Sequence, residues 1–217
     1  MKTMRTYSLR GVTGMLGALL LLVAPLQAQD VARYQAQPTG SKMKIDGDST
    51  LHVWTVESQI VGGYLELDPS FVADPQKAKP GKINAKASVT VPVRQLKSGK
   101  KGMDNVMHDA LKVQANPRIE YRLIELALQE TPKSADAPIK CDSKGDLAVA
   151  GVTNQVVMSI TLTRVEPNRL KVSGSIPLKM SSFGIKRPGL VGLTAKDDVT
   201  ISFEWLTAPP ETAAQAK

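Results

Sequence analysis

The chain has 217 residues, with 28 Lys and Arg against 20 Asp and Glu, one cysteine and two histidines. That length fits one domain with a sizeable core, and the lone Cys141 excludes an internal disulfide. His52 and His108 stand far apart and have no zinc-ligand spacing around them. Four tyrosines, three phenylalanines and two tryptophans are too few for the stacking platforms of a nucleic-acid binder.

In chain order, the first element is an export signal over residues 1–28. Lys2, Arg5 and Arg10 precede the apolar run "MLGALLLLVAPL", and Ala28 is the small residue before the expected cut. The run is too short to span a bilayer, which needs about 20 residues. Removing it leaves 25 basic and 20 acidic residues, a net +5 on a mature chain of 189. Export without a disulfide framework suits a bacterial periplasm. Residues 29–206 are then one folded domain, and residues 207–217, "APPETAAQAK" with the threonine before it, form a disordered tail.

Strands are expected around Met43–Ile45 and over Val53–Leu67, the second bent or broken at Gly62–Gly63. From Ile83 to Val93 apolar side chains alternate with Asn84, Lys86, Ser88 and Thr90, the mark of a half-buried strand. The basic run Arg94, Lys97, Lys100 and Lys101 follows, a candidate contact for an anionic membrane surface. Met103, Val106, Met107, Ala110 and Leu111 then recur at helical spacing, predicting a short helix over about 103–113 that ends before Pro117. Asp104, His108 and Asp109 fall on its other, solvated side. The strand Arg118–Leu128 slips phase between Leu123 and Ile124, which predicts a β-bulge there. Gln129–Gly145 is polar and proline-bearing and reads as an exposed excursion, with Cys141 inside it or on a strand edge. Three further alternating strands end the domain, on Val156–Leu162, Leu170–Leu178 and Val199–Trp205.

Long strands, tight turns and one helix favour an all-β, eight-stranded antiparallel barrel, because closure removes exposed edges. Such a barrel is either filled by its own side chains or holds one small ligand, and the sequence leaves both open. No nucleophile elbow, phosphate loop or dinucleotide fingerprint occurs, so neither an enzyme nor a cofactor is expected. The weaker catalytic option is a hydrolase in which Ser182 meets His108 or His52. An apolar interior instead offers a dry site for a hydrocarbon chain. Its candidate lining residues are Met103, Val106, Met107 and Leu111 on the helix, with Tyr121, Met158, Ile160, Val172, Phe183 and Phe203 elsewhere.

Four segments resemble the YceI-like family: "MDNVMHDALKVQANPRIEYRL", "GDLAVAGVTNQVVMSITL", "MSSFGI" and the opening "GSKMKIDGDSTLHVW". The last matches a G-x-S-x-x-H-x-W variant of the front motif, and the similarity runs over about Gly40 to Trp205. The resemblance implies a lipocalin-like barrel with an elongated apolar cavity. It also implies an exported, non-catalytic protein that binds a polyisoprenoid or another long-chain amphiphile. The alternative is a filled-barrel stress or interaction protein with no lipid ligand.

Overall fold

The computed structural model describes residues 31–165, 168–190 and 193–210, so the expected export signal lies outside the described residues. The strands are β1 (Ala32–Ala36), β2 (Lys42–Ser49), β3 (Val53–Ser58), β4 (Gly62–Leu67), β5 (Gly81–Ile83) and β6 (Ala85–Pro92). They continue with β7 (Arg118–Leu128), β8 (Ile139–Val149), β9 (Val152–Val165), β10 (Arg169–Lys179), β11 (Gly189–Leu190) and β12 (Leu193–Ala208). Two helices interrupt them, α1 (Pro69–Ala73) and α2 (Lys101–Ala110).

Every strand pairing is antiparallel, and the order β1–β4–β6–β7–β8–β9–β10–β12 returns to β1 through Gln35–Ala208 and Ala36–Thr207. The result is the expected closed eight-stranded barrel. The β2–β3 hairpin extends it along the edge of β12. β1 and β2 thus act as one interrupted stave, as do β3 with β4 and β5 with β6. The Val53–Leu67 strand breaks just before the paired glycines. Gly63 sits at φ +121°, and a Cβ there would lie 2.0 Å from the Ser88 carbonyl oxygen, so the close pairing of β4 with β6 requires glycine.

Alternation decides which side chains fill the barrel. Leu65, Leu67, Leu126, Leu128, Leu162 and Trp205 are all buried inside, while Lys86, Glu120, Arg122 and Glu204 face out. The slip in β7 is real: Leu123 pairs with Gly145 but Glu125 pairs with Lys144, leaving Ile124 as the extra residue, 48% exposed. The bulge lets Leu126 and Leu128 rejoin the interior.

Several expectations need correction. The polar excursion ends sooner than expected, because β8 starts at Ile139. Its outward face carries Lys140, Asp142 and Lys144, and its inward face carries Ile139, Cys141, Ser143 and Gly145. Two small polar-looking residues on the buried side hid the alternation. Cys141 is accordingly fully buried, and burial pushes its thiol up to about 12. At the other end, β12 runs to Ala208, and Thr207, assigned above to a disordered tail, is wholly buried and donates to the Leu170 carbonyl at 3.0 Å.

The predicted helix begins two residues earlier and ends at Ala110. Asp104 is buried rather than solvated, and it accepts from the Ser98 amide at 2.7 Å and the Ser98 hydroxyl at 2.6 Å. Burial raises its carboxyl, but these bonds outweigh that and hold it below its ordinary value. At the far end, Val113 N donates to His108 O and Lys112 N to Asp109 O, with Lys112 at φ +54°. That is a Schellman stop with lysine where glycine is usual.

Candidate functional site: an apolar cavity under a helix

Between β3 and β6 the barrel wall is incomplete. Beyond β2, among the described residues β3 bonds to the loop before α2, where Glu57 and Lys97 exchange two backbone hydrogen bonds of 2.8 Å. α2 follows this loop, and its apolar side borders a cavity shared with β3 and the turn after β10. Its imidazole is not free in solvent as expected: half-buried His108 donates from Nε2 to the Leu96 carbonyl at 3.1 Å, which ties the helix to the same loop.

Under the helix is an outer cavity of about 380 Å³, within the range of roughly 300–1,000 Å³ usual for ligand pockets. Met103, Val106, Met107 and Leu111 form its helical wall, Trp54 and Val56 come from β3, and Phe183 and Ile185 come from the turn after β10. Lys100, Lys179 and His52 stand at the rim. A second, inner cavity of about 110 Å³ lies within the barrel, and Ile119 and Ile201 line both.

The inner cavity exists because small residues face large ones. A Cβ on Gly145 would lie 2.4 Å from the Tyr121 ring and hydroxyl, and one on Gly174 would lie 2.9 Å from Phe203. The rings therefore rest on the glycines across the sheet, which, with small Ala87 also on the wall, leaves the centre open. Tyr121, Met158, Ile160, Val172 and Phe203 line this inner space. The ten residues nominated from sequence thus fall on the walls of two adjoining cavities, four on the helix, Phe183 at the turn and five in the barrel. Alternation had already put Trp205 and Ile201 on the inward face, but it could not show that Trp54, Ser143 or Ala87 would border empty space.

Polar groups near the site have structural partners. Burial raises the Tyr121 hydroxyl above its ordinary value, and the Ser143 hydroxyl 2.7 Å away partly offsets this. Asp197 accepts from the Ser181 amide and hydroxyl at 2.8 and 2.6 Å, and these bonds hold it below its ordinary value. Asn154 Nδ2 donates to the Ser182 carbonyl at 2.7 Å, joining the "GVTN" turn to "MSSFGI". Two of the sequence motifs are thereby clamped together behind the Phe183 wall. Ser182 is exposed, and among the described residues neither imidazole is hydrogen-bonded to a serine hydroxyl. No group of three or more metal-ligating side chains occurs among the described residues.

The basic run is divided in its roles. Arg94 donates to the Gln114 side chain at 3.2 Å and Lys97 is held by its backbone against Glu57, while Lys100 borders the cavity and Lys101 is exposed.

Comparison with known proteins agrees with this architecture. The chain is similar in fold to BcnA of Burkholderia cenocepacia, at 18% identity and TM-score 0.58, covering 76% of this chain and 95% of that one. It is also similar to a polyisoprenoid binding domain from Saccharophagus degradans, at 12% identity and TM-score 0.60, covering 83% and 100%. A Campylobacter jejuni YceI protein gives 15% identity and TM-score 0.53, covering 71% and 84%. A search of curated proteins finds no match. The YceI-like domain model matches residues 34–206, and the chain, a closed barrel around an apolar cavity, belongs to the YceI-like family.

Proposed function

We propose that this protein is an exported, periplasmic carrier that holds a polyisoprenoid or another long-chain amphiphile in its barrel and performs no chemistry on it. The observation that carries the reading is the pair of adjoining cavities walled almost wholly by carbon and methionine sulfur. Burying an apolar chain there releases about 0.8 kcal/mol per methylene, which offsets association costs after several methylenes. The Saccharophagus degradans neighbour, described as polyisoprenoid binding, supports the ligand class. A barrel filled by its own side chains would lack these spaces, so the alternative of a ligand-free interaction protein has less behind it. The polar rim leaves room for a head group in water.

The rim also supplies a means of meeting a membrane. Leu51 and Val53, 76% and 78% exposed, flank His52 at the tip of the β2–β3 hairpin. Lys100 borders the same opening and exposed Lys101 follows it, and Arg94 and Lys97 of the same basic run are exposed as well. Apolar tips beside cations suit an anionic bilayer surface. Co-sedimentation with phosphatidylglycerol vesicles should fall severalfold in Leu51→Asp and again in high salt; salt-independent binding would count against the contact.

Both tryptophans line the site, Trp54 in the outer cavity and Trp205 in the inner. Intrinsic fluorescence should therefore change saturably as geranylgeraniol is added to the mature chain, with a rise in melting temperature. No change in either signal with any long-chain prenol would remove the ligand class.

A further inference from the structure

One wall of the outer cavity is tied by hydrogen bonds only to its own ends. Strand ladders fix the sides supplied by β2, β3, β7, β8, β10 and β12. The turn after β10, which carries Phe183, is clamped by Asn154 of β9 and Asp197 of β12. α2 is built differently. Residues 94–116 form an excursion whose neck closes where Val93 N donates to the Pro117 carbonyl at 2.9 Å. Its two feet are sunk in the core, Leu96 at one and Leu111 with Val113 at the other. Over residues 99–110, between the feet, Asp104 alone is buried. Among the described residues, the hydrogen bonds that leave this span end on the feet. Asp104 accepts from Ser98, His108 donates to the Leu96 carbonyl, and the last helical carbonyls accept from 111–113.

We propose that residues 99–110 are a gate through which an apolar chain enters and leaves the barrel, with Asp104 and His108 as its latches. The inference rests on the carrier reading and adds the route. The inner cavity adjoins the outer one at Ile119 and Ile201, so a chain bound for the interior passes the α2 wall. Met103, Val106 and Met107 meet the cavity and are only half-buried, so no fully buried apolar side chain has to leave the core when the span moves. Segments of that kind open locally at a fraction of the cost of global unfolding. Both ends of the span are suited to turning. Gly99 sits at φ +77°, where a Cβ would meet nothing within 4 Å, and Lys112 sits at φ +54°. Opening breaks the two latches while the neck and the strand ladders stay shut, so the barrel survives each passage.

The test reads the gate first without ligand. Native-state hydrogen exchange of the purified protein should show the amides of 104–110 exchanging together, about a hundredfold faster than those of β8 and β9. Saturation with geranylgeraniol should slow them. Exchange of these amides only through global unfolding overturns the gate, and that readout needs no variant to fold. Stopped-flow tryptophan fluorescence then follows geranylgeraniol in His108→Ala. Association and dissociation should both speed up about tenfold, as expected for one lost hydrogen bond, with Kd unchanged within about twofold. A residue that merely shaped the wall would move dissociation and Kd together and leave association alone. Prenol binding with that pattern, or with unaltered rates, overturns the gate and leaves the carrier intact. If no prenol binds, the gate falls together with the carrier reading.

Discussion

Asp104 accepts two hydrogen bonds from Ser98, and those bonds anchor the start of α2 to the loop that follows β6. Asp104→Ala would take the acceptor from the half-buried Ser98 amide, while the Ser98 hydroxyl keeps the Lys100 carbonyl at 3.2 Å, and cost about 1–2 kcal/mol. The carboxyl titrates below its ordinary value in the folded chain, so its contribution is complete above about pH 4 and is lost as pH falls through the folded value. Urea melts should show the deficit at pH 7 and a much smaller one near pH 2; equal deficits would contradict this role. Cys141 behaves in the opposite sense. With its thiol pushed up to about 12 by burial, only about one in 10⁴ is thiolate at pH 8. Ellman's reagent should therefore label the native protein far more slowly than the urea-unfolded one, and fast native labelling would place the thiol elsewhere. Neither residue could be placed from sequence. Helical spacing puts Asp104 on the polar side, where its capture by Ser98 depends on how the preceding loop folds back. Cys141 sits in a segment whose inward residues, Ser143 and Gly145 among them, are too small or polar to announce a buried face.

At the scale of elements, legibility followed the strength of the local period. The bulge at Ile124 was readable because a one-residue insertion shifts every later side chain to the other face. The apolar stripe of α2 was readable for the same reason, but its ends were not, since they depend on Ser98 before it and on the left-handed Lys112 after it. Lys112→Gly should relieve that conformation and raise stability by about 0.5–1 kcal/mol, measured by denaturant midpoint. A loss would show that the lysine side chain does something the backbone argument omits. The stripe itself makes a functional prediction. Met103 and Met107 are only partly buried and border the outer cavity. Replacing Met107 with Ala should weaken binding of geranylgeraniol by about tenfold through lost apolar contact, with a smaller effect on stability than a core truncation. Unchanged affinity would move the ligand away from the helix.

For the whole molecule, alternation, strand length and turn lengths made a closed antiparallel barrel readable, yet its hollowness was not. Closure rests on the two register pairs between β1 and β12, at opposite ends of the domain. Hollowness rests on coincidences across the sheet, where Gly145 and Gly174 receive aromatic rings and Ala87 adds little volume to the wall. Sequence periodicity says which side chains point inward, but whether their volumes fill the centre depends on which ones meet. Filling that space should separate stability from function: Ala87→Leu should hold or raise the melting temperature by adding buried contacts, and abolish chain binding. If binding survives with the inner cavity filled, the chain occupies the outer cavity alone. The central claim, that the interior carries an apolar ligand, is tested most directly by native mass spectrometry of the protein purified from the cells that make it. The account predicts the protein mass plus a discrete adduct that is lost on organic extraction and recovered in the extract as a long-chain amphiphile. A spectrum of bare protein, with an empty extract and no uptake of added prenol, would contradict it.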